Sequence, residues 1–107
     1  MLLALPGQAI QQAAAASRAA GNSPTKVGQD AHRALRDWIN NNKGTGWHAE
    51  RQIRGPADGQ LYRTDLRTPR GRNIDLKPNT ASGLRSGITT KNKYLNAGLR
   101  QTRIIYY

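Results

Sequence analysis

The sequence predicts an α+β domain whose elements run in the order α, β, β, β, α, β. Three observations carry that expectation. Residues 26–40 hold an apolar stripe at helical spacing, residues 47–54 and 61–77 alternate as strands do, and residues 81–96 form a second helical stretch before a terminal segment of β-branched and aromatic residues.

Residues 1–25 differ in composition from the rest. Positions 8–20 are mostly alanine and glutamine, which favours a helix but offers almost no large side chain to bury, and Gly21, Asn22, Ser23 and Pro24 end it. We read this stretch as a linker or the tail of a preceding region, with the domain proper over 26–107. In the first helix Val27, Ala31, Ala34, Leu35 and Trp38 fall on one face. His32 lies at the edge of that stripe beside Asp30. Residues 47–54 put Trp47, Ala49 and Ile53 on one side and His48, Glu50, Gln52 and Arg54 on the other, so that Glu50 is expected to face the same surface as Asp65.

The central hairpin follows. Its arms, 61–68 and 72–77, flank Pro69, Arg70 and Gly71, a three-residue loop with glycine where a left-handed backbone is needed. That loop sets Thr68 against Arg72 and Asp65 against Asp75. Arg63, Asp65, Asp75 and Lys77 then share one face, and Leu66, Ile74 and Leu76 the other. After Pro78 and Asn79, Thr80 caps a helix over 81–96 with Leu84, Ile88, Tyr94 and Leu95 as its apolar positions. Gly83 and Gly87 weaken that helix by roughly 1 kcal/mol each relative to alanine, a cost that close approach of another backbone or of a phosphate would justify. Residues 102–107, TRIIYY, read as the last strand.

With 107 residues, 36% hydrophobic and no phenylalanine, the chain supports one domain with a thin core. Seventeen basic against six acidic residues give a formal net charge of +11, which points to a polyanion, nucleic acid foremost. The absence of cysteine excludes thiol catalysis, thiolate metal sites and disulfides. No apolar run approaches the length of a membrane span, and the first six residues are too short for a signal peptide.

Two carboxylates opposed across a strand pair repel unless a positive group sits between them. A divalent cation suits that position, because magnesium takes one or two carboxylates and leaves its other positions to water and substrate phosphate. Lys77, two residues beyond Asp75, is placed to neutralise charge on a phosphodiester or orient a water. The alternative is that Asp65 and Asp75 merely pair with neighbouring arginines.

Gly28 and His32, Glu50, Arg63 with Asp65, the run Ile74-Asp75-Leu76-Lys77-Pro78-Asn79, then Gly87 and Tyr94 together resemble the restriction-endonuclease-like toxin domains of the PD-(D/E)XK superfamily, found at the C-termini of bacterial contact-dependent inhibition and Rhs-type toxins. The resemblance covers roughly residues 27–107. It implies a central mixed sheet flanked by helices and a metal-dependent endonuclease using Mg2+ or Mn2+. Asp65 and Asp75 would match the two metal-binding acids and Lys77 the catalytic lysine. Glu50 is the candidate for an additional acid, with Asp30 competing, and His32 and Thr90 are candidate supporting residues. Two departures stand out: Asp75 replaces the commoner glutamate, and Thr90 stands where many relatives carry glutamine. Arg63, Arg72 and Arg85 would grip the nucleic acid, DNA being favoured over tRNA. The resemblance further implies delivery as the end of a larger secreted toxin, action in the target-cell cytoplasm, and a cognate acidic immunity protein. A rival from another class is a non-catalytic basic module that stacks bases on Trp47, Tyr106 and Tyr107.

Overall fold

Helix stops and starts written into the sequence set the first part of the chain. The computed structural model describes residues 6–99 and 101–107. Helix α1 (Pro6–Ala19) ends where Gly21 takes a φ of 77°; its N–H donates to the Arg18 carbonyl (2.9 Å) and the Asn22 N–H to that of Ser17 (3.2 Å), the paired bonds of a Schellman cap. Helix α2 (Pro24–Asn41) begins directly after, with the Ser23 hydroxyl accepting from the Lys26 N–H and Pro24 in the first turn. The two helices pack together. Ile10, Ala14 and Ser17 form the buried stripe of α1, and Val27, Ala31 and Leu35 that of α2.

Within the stretch read as a linker or the tail of a preceding region, α1 is thus a helix packed on α2. Small side chains let α1 lie close against α2, so Ile10 and two small neighbours suffice where the sequence offered little apolar volume. Packing divides the chain into one unit reaching to Lys43, with Tyr107, and a second covering Gly44–Tyr106.

The second unit is a four-stranded mixed sheet in the order β1 (His48–Arg54), β2 (Leu61–Arg67), β3 (Asn73–Lys77), β4 (Thr102–Tyr106), with helix α3 (Ala81–Asn96) crossing between β3 and β4. The described residues thus make a small α+β fold of three helices and four strands, and its order from α2 onward is the one the sequence predicts. β1 pairs antiparallel with β2, β2 antiparallel with β3, and β3 parallel with β4. The β2–β3 loop closes as expected: the Thr68 N–H donates to the Arg72 carbonyl (2.9 Å), and Gly71 sits at φ 80°. Leu66 then pairs with Ile74 and Arg67 with Asn73.

Helix α3 is capped by the Thr80 hydroxyl, which accepts from the Gly83 N–H. It buries Gly83, Gly87 and Tyr94, while Leu84, Ile88 and Leu95 are exposed. The reason is proximity. A Cβ on Gly83 would collide with the Pro78 carbonyl, and one on Gly87 with the Tyr106 hydroxyl. Protein groups fill the space that the sequence left open to a phosphate. Among the described residues no helix is long and apolar enough to cross a membrane, and a chain without cysteine forms no disulfide.

Candidate functional site

Counting back from the Leu66–Ile74 pair sets Asp65 opposite Asp75, yet the backbone ladder between β2 and β3 stops at Leu66. Side chains take over from there. The Asp65 N–H donates to Asp75 Oδ1 (3.2 Å), and the Leu76 N–H donates to Asp65 Oδ2 (2.8 Å). Each carboxylate thus stands in for a carbonyl of the opposite strand, and the strands open around the pair.

Asp75 is buried, and burial is the main reason its carboxyl is pushed above the ordinary range; the nearby charge of Asp65 pushes the same way. The Asp65 N–H, the Tyr94 hydroxyl and the charge of Lys77 oppose the shift. Tyr94, projecting from α3, places its hydroxyl 3.0 Å from both Asp75 Oδ2 and the Arg63 carbonyl. One hydroxyl proton serves one acceptor at a time. A protonated Asp75 can therefore donate to the Tyr94 oxygen while Tyr94 donates to Arg63, so both charge states of the acid find partners. Burial also pushes the Tyr94 hydroxyl well above its ordinary range, with the Asp75 charge adding to it, which keeps it a donor. The edge of one ring meets the face of the other between Tyr62 and Tyr94, centroids 5.5 Å apart, and Lys93 Nζ lies 5.5 Å from the Tyr62 ring centre.

Of the predicted residues, Asp65, Asp75 and Lys77 come together. Glu50 does not join them: its carboxylate pairs with Arg63 (3.0 Å), and its backbone sits at φ 53° between the Ala49–Leu66 and Arg51–Thr64 pairs. A left-handed backbone at a non-glycine strand residue costs about 1–3 kcal/mol. Among the described residues no three histidine, aspartate or glutamate side chains gather into a metal-sized cluster. Arg85 is exposed on α3 and Thr90 is half-buried there; Arg72 is exposed in the β2–β3 loop.

Asp30 and His32 belong to the helical unit. Asp30 pairs with Lys26 (2.8 Å) and lies 3.9 Å from Arg33; its hydrogen bond from Lys26, then one with Ser17, holds its carboxyl below the ordinary range. His32 meets the Tyr107 ring edge-on at 6.4 Å. These contacts are those of residues that organise the helical pair.

Sequence reasoning assigned no site role to Tyr94. The signal was its position seven residues after Gly87 and eleven after Gly83, on the one face of α3 where bulk is excluded. The pair also fits a hard divalent cation in donor type: two aspartates, each fixed through one oxygen by a backbone amide, with a lysine beside them. No protein-family profile matches the chain, and no curated protein or solved structure matches it significantly.

Proposed function

We propose that this chain is a metal-dependent nuclease toxin of the PD-(D/E)XK type that hydrolyses phosphodiester bonds in the DNA of a competing bacterium, with tRNA as the alternative substrate. The observation that carries the reading is the meeting of Asp65 and Asp75 beside Lys77 in a chain of net charge +11. Asp65 and Asp75 would hold Mg2+ or Mn2+. The bound ion would polarise a phosphoryl oxygen and lower the pKa of a water.

The chain's own residues do the remainder. Tyr94 fixes the buried carboxylate of Asp75 in one orientation. Lys77 offsets charge growing on the phosphate, and Arg63, Arg72 and Arg85 hold the flanking backbone. Glu50 would contribute only by exchanging Arg63 for a water at the pair. An immunity protein with an acidic surface would answer the positive field of the toxin.

A second reading is favoured by the same hydrogen bonds. Because each carboxylate already replaces a ladder carbonyl, the pair would serve a non-catalytic basic module as a structural clasp. Plasmid DNA and total tRNA incubated with the purified chain, in Mg2+ or in excess EDTA, separate the two. Asp75→Asn is the control, since an amide keeps an acceptor for the Asp65 N–H and a donor for Tyr94. The nuclease reading predicts loss of one substrate with Mg2+ alone and none with the folded variant. Cleavage in EDTA would favour a metal-independent ribonuclease, and intact substrates that shift in a gel would favour the binding module.

A further inference from the structure

The loop between β2 and β3 is closed by several hydrogen bonds and strongly basic. Besides its backbone closure, the Arg72 N–H donates to Thr68 Oγ1 (3.0 Å) and the Gly71 N–H to the Thr68 carbonyl (2.9 Å). Two cavities meet along it. One, of about 590 Å3, is lined by Trp47, Thr68, Pro69, Arg70, Arg72 and Gln101. The other, of about 320 Å3, takes in His48, Arg51 and Arg67 and shares Thr68 and Pro69 with the first.

Neither lining holds a carboxylate, and none of Arg51, Arg67, Arg70 and Arg72 makes an ion pair among the described residues. Four guanidinium groups gathered without acids repel one another, and an anion relieves that repulsion. Their planar forks match phosphate oxygens. Trp47 also lines the larger cavity, which has room for a base. Arg67 alternates onto the face of Asp65, and three residues of strand, roughly 10 Å, separate Thr68 from Asp65.

We propose that these cavities form a subsite for single-stranded nucleic acid, in which the arginines hold successive phosphates and an unpaired base stacks on Trp47. An acidic polypeptide would satisfy the charge but has no base to lay on the indole. The inference rests on the nuclease reading for the course of the strand onward to the acid pair, whereas binding at the subsite requires no cleavage.

Fluorescence anisotropy with a labelled single-stranded oligonucleotide, its duplex and polyglutamate, all in excess EDTA, tests the subsite without engaging the acid pair. The full chain is compared with Trp47→Ala, with Arg70→Ala/Arg72→Ala, and with Lys91→Ala/Arg103→Ala, which removes the same charge from exposed positions elsewhere. Circular dichroism checks each fold. Trp47→Ala is expected to weaken single-strand binding about tenfold or more while changing duplex binding less. The Arg70/Arg72 pair, exposed and tolerant of truncation, should weaken it further than the control pair and flatten the dependence of log K on log salt by about 1.4. Losses no greater than the control pair's would overturn the proposal. So would polyglutamate binding as tightly as the oligonucleotide and responding to the same substitutions, the result expected of a surface for an acidic protein. A chain that binds in this way yet never cuts would keep the subsite and remove the nuclease.

Discussion

Asp75 is held where a carboxylate is costly, and the consequence shows in pH. Its folded pKa is raised, chiefly by burial, so the native state binds the proton more tightly than the unfolded chain does. The stability this contributes is complete below the ordinary aspartate pKa and is lost as pH rises through the raised folded value. Asp75→Asn removes the charge and keeps its hydrogen bonds. We expect a higher Tm than wild type at pH 7, a difference that shrinks in acid; thermal scans across pH check it. Tyr94→Phe has the opposite effect. It strips a partner from the buried acid at a cost of about 1–3 kcal/mol, read as a fall of several degrees in Tm. Glu50→Gly relieves a left-handed backbone at the expense of one exposed ion pair worth at most about 1 kcal/mol. Denaturant unfolding should find it at least as stable as Glu50→Ala, which loses the pair and keeps the strain.

At the scale of elements, α3 is held by absence of side chains. Alanine at Gly83 gains about 1 kcal/mol of helix propensity but drives a methyl into the Pro78 backbone, and the clash outweighs the gain. Denaturant midpoints should fall for Gly83→Ala and fall less for Gly87→Ala, where the obstacle is the far end of Tyr106. The hairpin was legible in the sequence because Pro69, Arg70 and Gly71 dictate a loop type, and the loop type dictates register. The opening of the ladder was not, since a side chain standing in for a carbonyl leaves no period. Nor was the exposure of Leu84, Ile88 and Leu95 on α3, because glycines carry no hydrophobic signal even when they mark the packed face. The packing of α1 was hidden for the same reason: its alanines and Ser17 bury little area but allow close approach. Glu50 was placed by alternation on the face of Asp65, and what alternation could not show is that its carboxylate goes to Arg63 on that face and not to the acid pair.

For the whole molecule, charge is the dominant fact. Seventeen basic residues against six acidic ones make any nucleic-acid complex strongly salt-dependent, and the dispersed arginines become a local field only where folding gathers them, as at the β2–β3 loop. Composition made the polyanion expectation available from the sequence. The coincidence of Arg51 and Arg67 with Arg70 and Arg72 needed the pairing of β1 with β2. The central claim, that Asp65 and Asp75 form a divalent-cation site, is tested most directly by titrating the full chain with Mn2+ to millimolar levels and following the free ion by electron paramagnetic resonance. The account predicts one site per chain that is lost in folded Asp65→Asn and in folded Asp75→Asn. Binding that survives both substitutions, or a wild-type chain that takes up no ion, would contradict it.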